Sequence, residues 1–309
     1  MPIDRHQLAL IIPAMLLCSL GCPGHANATG ARDMGIREAC EALVEYGKAG
    51  EMTFYQKAGK DIIDPDRIKE CADITVPNVM QITKIALPIA GVDFYYYKNE
   101  SDSPPPDSAN DKAKYVDVRL AVLLYRLSKM LNDQYGVTRI GHNGFGTPDF
   151  SKLRDYDAHL SGRALDLARL EGRIPNDKPD GSTSYRISLA RHWSKADNKE
   201  QALVGEKVVE GRRVYRLSDS GSSVIDRIAA SIFKDIYILA TKECSDSSDQ
   251  PKQNRIIQAP RLPGDLNERG KGRGYILHPD YGDDDHAKDH WNHFHLQIAT
   301  LKPEKLPPS

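Results

Sequence analysis

An α+β fold, with a small antiparallel sheet and helices packed on one of its faces, is what the sequence predicts, and three observations predict it. Two long stretches, 112–135 and 222–242, carry apolar residues at three- and four-residue intervals, the period of a helix with one buried face. Short segments near 164–168 and 293–298 alternate apolar with polar side chains, the two-residue period of half-buried strands. Turns rich in glycine separate the two kinds of segment, and helices and strands of this mixed order bury their apolar faces against each other in layers. No internal repeat is visible.

With 309 residues, 40% of them hydrophobic, the chain has material for one large domain, or one domain and a smaller appendage. Lys and Arg number 42 against 43 Asp and Glu, a formal net charge of -1. Such a balance creates no field that would draw the protein onto nucleic acid or an acidic membrane surface.

Residues 1–28 read as a secretory signal. Arg5 and His6 precede an apolar run from Leu8 to Leu20 that is too short to span a bilayer, and Pro13 interrupts it as a core helix. Two processing sites compete: Ala26-Asn27-Ala28 has the small-x-small form of signal-peptidase cleavage, while Leu20-Gly21-Cys22 resembles the end of a lipoprotein signal with Ser19 where leucine is usual. Either implies an exported protein, in the periplasm or anchored at the outer membrane of a bacterium, with membrane attachment only through a lipid on Cys22. The mature chain then keeps Cys40, Cys71 and Cys244, whose spacing fits no zinc-binding pair; Cys40 with Cys71 is the expected disulfide.

Residues 29–98 read as a helical or mixed N-terminal region. A helix is expected around Ile36–Val44, a second begins after Asp64-Pro65 near Ile68, and Gly91–Tyr97 reads as a strand. Its adjacent Tyr95, Tyr96 and Tyr97 can line a sugar-binding surface or simply pack, the commoner role. Residues 99–111, with Pro104-Pro105-Pro106, form a stiff polar linker and the expected domain boundary.

The functional domain is expected at 112–300, followed by a tail at 301–309. Val116, Leu120, Leu123, Leu124, Leu127, Met130 and Leu131 make Lys112–Tyr135 the strongest helix, ended by Gly136, and Val137–Ile140 begins a strand. Gly141–Pro148 is glycine-rich without the spacing of a phosphate loop and reads as a turn. Gly162 permits a sharp reversal that lets His159 meet Asp166 of the following strand. Ser182–Asp197 reads as a helix with flanking loops, Glu206–Leu217 as a hairpin turning at Glu210-Gly211, and Ser222–Lys242 as an amphipathic helix.

The most informative stretch is Asp289-His290-Trp291-Asn292-His293-Phe294-His295. Phe294, Leu296 and Ile298 alternate with His293, His295 and Gln297, so the two imidazoles share the strand face opposite the core. A catalytic zinc site takes about three protein ligands and keeps one position for water. His159, Asp166 and one histidine of the terminal strand supply that set, and the surplus imidazoles suit proton transfer or oxyanion stabilisation. His142, His278 and His286 read as surface or turn residues. Asp283-Asp284-Asp285 lacks the spacing of a calcium loop, although one of these or Asp289 can orient an imidazole.

His159-Leu160-Ser161-Gly162-Arg163-Ala164-Leu165-Asp166 resembles the H-x-x-G-x-A-x-D motif, and His293-Phe294-His295 the H-x-H motif, of the zinc metallopeptidases grouped as lysostaphin, D-Ala-D-Ala carboxypeptidase and sonic hedgehog types. His290-Trp291-Asn292-His293-Phe294-His295 is similar to the H-x-x-H-x-H of penicillin-insensitive murein endopeptidases, and Asp289–Leu296 looks like the extensin-like carboxy-terminal domains. The resemblance covers about residues 112–300. It implies a hedgehog and D-Ala-D-Ala-peptidase-like fold, Zn2+ on His159, Asp166 and His295, catalytic roles for His293 and His290, and hydrolysis of peptidoglycan stem peptides or crosslinks by metal-activated water. Carboxypeptidases of the group carry an arginine before the first motif and a glutamate three residues before the zinc histidine. His142-Asn143 and Asn292 stand at those positions here, which favours an imidazole base and an endopeptidase. The competing expectation is a zinc-stabilised, non-catalytic cell-wall or protein binding module of the same fold.

Overall fold

The computed structural model describes residues 29–58, 61–62, 82–97, 109–152, 157–175, 182–193, 204–209, 212–217, 224–244, 255–257, 275–277 and 291–298. The fold is α+β. Its central sheet is built on β7 (Ala164–Pro175), a strand of 12 residues long enough to hold three partners. One edge of β7 pairs antiparallel with β6 (Val137–Phe145); the other is shared end to end by β13 (Phe294–Gln297) and β8 (Ser182–Ser188). The outer strands are β12 (Tyr275–Leu277) against β13 and β4 (Asp93–Tyr96) against β6. The β4–β6 pairing is parallel, so the sheet is mixed rather than wholly antiparallel as expected.

A second sheet, in the order β2 (Asp61–Ile62), β1 (Thr53–Ala58), β3 (Ile82–Ala86) and β5 (Ala113–Asp117), precedes the long helix. A third contains β9 (Val204–Val209), β10 (Arg212–Leu217) and β11 (Arg255–Ile257); Arg212 opposite Val209 closes the hairpin expected at Glu210-Gly211. Helices α1 (Ile36–Lys48), α2 (Val118–Tyr135), the short α3 (Leu189–His192) and α4 (Val224–Cys244), with 3-10 turns at Ala31–Asp33 and Phe150–Lys152, complete the described elements. Among the described residues no helix is long and apolar enough to cross a membrane.

Helix α2 is the axis of the core. Eleven of its 18 residues are buried because it packs on α1, α4, β6 and β7 at once. Its start is decided by Asp117, whose Oδ1 accepts from the Arg119 backbone N–H at 2.8 Å while the carboxylate takes the Arg119 guanidinium at 2.9 and 3.1 Å. Capping satisfies a backbone donor that the first helical turn leaves over. The helix therefore begins at Val118, later than the expected Lys112, and 113–117 pairs with β3 instead. Its end is decided by Gly136 at φ 64°, where a β-carbon would also sit 2.2 Å from the Arg173 carbonyl oxygen.

The described residues of the segment before the proline-rich stretch pack into the main core. Ala31, Met34, Ile36, Leu43 and Ile85 belong to the same buried cluster as Leu120, Leu167, Phe233, Leu296 and Ile298. The backbone N–H of Ala31 donates to the buried Glu243 carboxylate at 2.6 Å, and Arg126 joins Glu243 to the Thr29 carbonyl. Residues on both sides of the expected boundary at 99–111 thus share one core, since β4 is a strand of the central sheet. Tyr95 and Tyr97 are buried there under the guanidinium groups of Arg139 and Arg169, and of the three tyrosines only Tyr96 is exposed, at 62%. Packing accounts for the other two.

Two further expectations change. Gly141–Phe145 continues β6 through register shifts instead of turning, and 182–188 is a strand, with Tyr185 and Ile187 buried between exposed Ser184 and Arg186. The unfilled edge of β7 selects the strand over the helix, because each extended residue there gains ladder hydrogen bonds. Cys40 is disulfide-bonded and Cys244 is a buried free thiol; Cys71, the expected partner, lies outside the described residues, as do residues 1–28, the helix expected near Ile68 and Pro104–Pro106.

Candidate metal centre

His159, Asp166 and His295 offer one ligand atom each within 4.8 Å of one another. Two of the three stand on neighbouring strands. Antiparallel pairing puts His295 of β13 directly opposite Asp166 of β7, with Gly144 of β6 beyond Asp166 and Leu277 of β12 beyond His295. Directly paired residues project to the same face. On the opposite face Phe294 packs edge-on against Trp193 and Phe233, with ring centroids 5.3 and 6.0 Å apart, and Leu296 and Ile298 are buried beside it. Burial of these three apolar side chains sets which way β13 faces, so His293, His295 and Gln297 emerge together on the other side.

His159 comes from the turn before β7, not from the sheet. Asp157 Oδ1 accepts from the His159 and Leu160 backbone N–H groups at 2.8 and 3.2 Å, an aspartate-stabilised turn. Gly162, at φ 69°, reverses the chain where a β-carbon would lie 2.7 Å from the Val116 α-carbon. The result brings His159 Nε2 to 3.2 Å from Asp166 Oδ2. Arg163 then ties this turn to the far strand: its Nη1 donates to the Ile298 carbonyl at 3.0 Å, and the Ile298 N–H donates to the Arg163 carbonyl at 2.9 Å.

Asp166 is the hub of the three imidazoles. Its Oδ1 lies 2.7 Å from His295 Nδ1 and 3.5 Å from His293 Nε2. Burial by itself would raise its carboxyl, but the His295 and His159 imidazoles hold it well below its ordinary value, as an anion. Burial likewise pulls His159 down and the Asp166 carboxylate more than reverses this, leaving its pKa raised. A tetrahedral site with ligand bonds of about 2.0–2.1 Å has donor–donor edges of roughly 3.3 Å. The 3.2 Å edge between His159 and Asp166 suits it, and the 2.7 Å edge opens to it by a small movement.

Gly144 is the floor of the site. A β-carbon there would lie 3.0 Å from His159 Nδ1 and 3.2 Å from Asp166 Oδ2. The donor set of two imidazoles and one carboxylate fits a divalent cation of zinc type and accepts several others.

His293, 5% exposed, is beside this group but not one of it. Its Nδ1 lies 2.8 Å from Asn292 Oδ1, and Asn143 of β6 stands within 3.4 Å of both. Asn143 and Gln297 are site residues that sequence reasoning missed: Asn143 fell in a stretch read as a turn, and Gln297 had only its place in the alternation to mark it. His142, expected at the surface, is buried in β6. Its Nε2 lies 2.8 Å from Asp111 Oδ2, and Lys114 holds the same oxygen at 3.3 Å. Burial lowers the His142 imidazole, so the neutral ring donates its Nε2–H to an Asp111 carboxylate kept ionised by this bond and Lys114. His290, His278, His286, Asp283–Asp285 and Asp289 lie outside the described residues.

Compared with models of protein families, with curated proteins and with solved structures, the chain matches none.

Proposed function

We propose that this chain is a zinc-dependent peptidase of the hedgehog and D-Ala-D-Ala-peptidase-like type that hydrolyses peptide bonds in the stem peptides or crosslinks of peptidoglycan, exported from a bacterial cytoplasm. The observation that carries this reading is His293. A site that only held a metal for stability would close its coordination shell, whereas here a buried imidazole, outside the ligand set, turns Nε2 toward the same carboxylate oxygen as His295. His159 through Nε2, Asp166, and His295 through Nδ1 are the proposed metal ligands.

When bound there, a divalent cation lowers the pKa of a coordinated water to about 7 and polarises a carbonyl oxygen. The chain's own residues do the rest. His293 receives a proton at Nε2 and returns it to the leaving amine, the exchange of general base and general acid that amide hydrolysis needs. His159 and His295 orient the open side of the site, with Asp166 supplying the negative charge that makes it cation-selective. His290 is assigned to the same chemistry from its motif position. Asn292, which stands where related carboxypeptidases have glutamate, is not a base, and its amide is committed to His293.

Digestion of purified sacculi by the mature protein loaded with one equivalent of zinc, followed by mass analysis of the fragments, tests the reading. New amino termini within stem peptides or crosslinks are expected. Unchanged crosslinked muropeptides and unchanged D-Ala-D-Ala stems would refute it.

A further inference from the structure

Ile140 and Phe145 of β6 both lie in the main core, although they stand an odd number of positions apart. Regular alternation would put them on opposite faces. Between them β6 must therefore place two successive residues on one face, as a bulge does. The register with β7 shows where: it shifts on both sides of the His142–Leu167 pair, and Asn143 is the extra residue. Asn143 and Gly144 thus share the metal face. Asn143 Nδ2 is 3.4 Å from His293 Nδ1, and a β-carbon on Gly144 would lie 3.0 Å from His159 Nδ1. His142 faces the core side with Leu167, its ring edge-on to that of Phe145 with centroids 5.3 Å apart.

A bulge placed earlier would keep Ile140 and Phe145 in the core equally well. At Gly141–His142 it would send the imidazole to the metal face and turn Asn143 to the core. Gly141 suits a bulge as well as Gly144 does, so the local sequence leaves the choice open.

Asp111 makes the choice. Its Oδ2 lies 2.8 Å from His142 Nε2 on the core side. It is fixed there independently, by its own backbone N–H donating to the Phe94 carbonyl at 2.7 Å and by Lys114 Nζ at 3.3 Å. We propose that Asp111 is a positioning residue that selects the bulge in β6: by holding His142 away from the metal face it presents Asn143 to His293 and keeps a further imidazole off the ligand set. Without that acceptor a polar ring beside Phe145 and Leu167 is costly to bury, and the metal face is the polar alternative. The consequence for turnover rests on the peptidase reading; the choice of register does not.

The test is cobalt in place of zinc in the mature protein, read by visible absorption, whose intensity falls as ligands are added to a tetrahedral set. Asp111→Ala should lower that intensity as His142 joins the metal, and lower kcat on muropeptides by about 10–100-fold. Asp111→Asn keeps an acceptor for His142 and should keep the spectrum. His142→Leu alone should also keep it, because leucine stays beside Leu167 and Phe145 while Asp111 retains Lys114. Combining Asp111→Ala with His142→Leu should then recover both spectrum and turnover, whereas a merely structural pair would leave the double variant at least as impaired as the single one. An Asp111→Ala spectrum identical to that of the unaltered protein, a changed spectrum in His142→Leu, or a double variant no better than Asp111→Ala overturns the proposal. The expected spectra in a protein that cleaves no muropeptide would sink the peptidase reading and leave the register role standing.

Discussion

Asp166 and His295 are 129 residues apart in sequence and face each other across β7 and β13, Oδ1 2.7 Å from Nδ1. That pairing is the point on which the proposed metal chemistry depends. It joins the first motif, delivered by the His159 turn, to the second, delivered by the last strand of the central sheet.

The separation of proposed ligand from proposed catalytic imidazole leads to the first prediction. His295→Ala should abolish stoichiometric zinc, whereas His293→Ala should retain it and lose turnover by about 10²–10⁴-fold, the usual contribution of a positioned acid–base group. Metal analysis alongside a muropeptide assay reads both. Zinc lost from the His293 variant would show that His293 is a ligand instead.

Gly144 supplies the second. Alanine in its place would put a methyl group 3.0 Å from His159 Nδ1 and 3.2 Å from Asp166 Oδ2, too near for either to keep its position. Zinc affinity in Gly144→Ala, measured by competition with a chelator, should fall by about 10–100-fold while the circular dichroism stays the same.

The third concerns pH. In the metal-free protein His159 has a raised pKa, so its contribution to stability is full below the unfolded value of about 6.5 and is lost as pH rises through the higher folded value. Asp166, depressed, contributes above about 3.9 and loses that contribution as pH falls through its folded value. Urea denaturation of the metal-free protein should therefore show the His159 contribution disappearing as pH rises past the folded value. With zinc the trend should reverse in that range, because metal binding needs deprotonated imidazoles. Parallel curves with and without zinc would contradict the ligand assignment.

The fourth lies away from the site. Asp117 and Arg119 are each 1% exposed and joined at 2.9 Å where α2 begins. Asp117→Ala removes the helix cap and leaves a buried guanidinium without its partner. A loss of about 3–5 kcal/mol in chemical denaturation is expected, and a loss below about 1 kcal/mol would mean that water reaches Arg119.

Local patterns carried a good part of this in the sequence. The two-residue alternation from His293 to Ile298 already placed both imidazoles on one face, because side-chain direction in a strand follows from chain geometry alone. Gly136 and Gly162 were legible for the same reason: both have positive φ, which a residue without a β-carbon adopts at little cost. Helices α1 and α4 and the 204–217 hairpin likewise follow from period and turn chemistry within a few residues.

What tertiary structure alone decided is which elements meet. Residues 182–188 became a strand because β7 had an edge to fill, and 113–117 paired with β3 because Asp117 caps α2 late. His142 went inside because Asp111, 31 residues earlier, satisfies its Nε2 there. Asn143 and Gln297 acquired their roles only when β6, β7 and β13 came into register. Period and propensity are properties of neighbouring residues, whereas register between distant strands is selected by the common core that Phe294, Leu296 and Leu167 fill together.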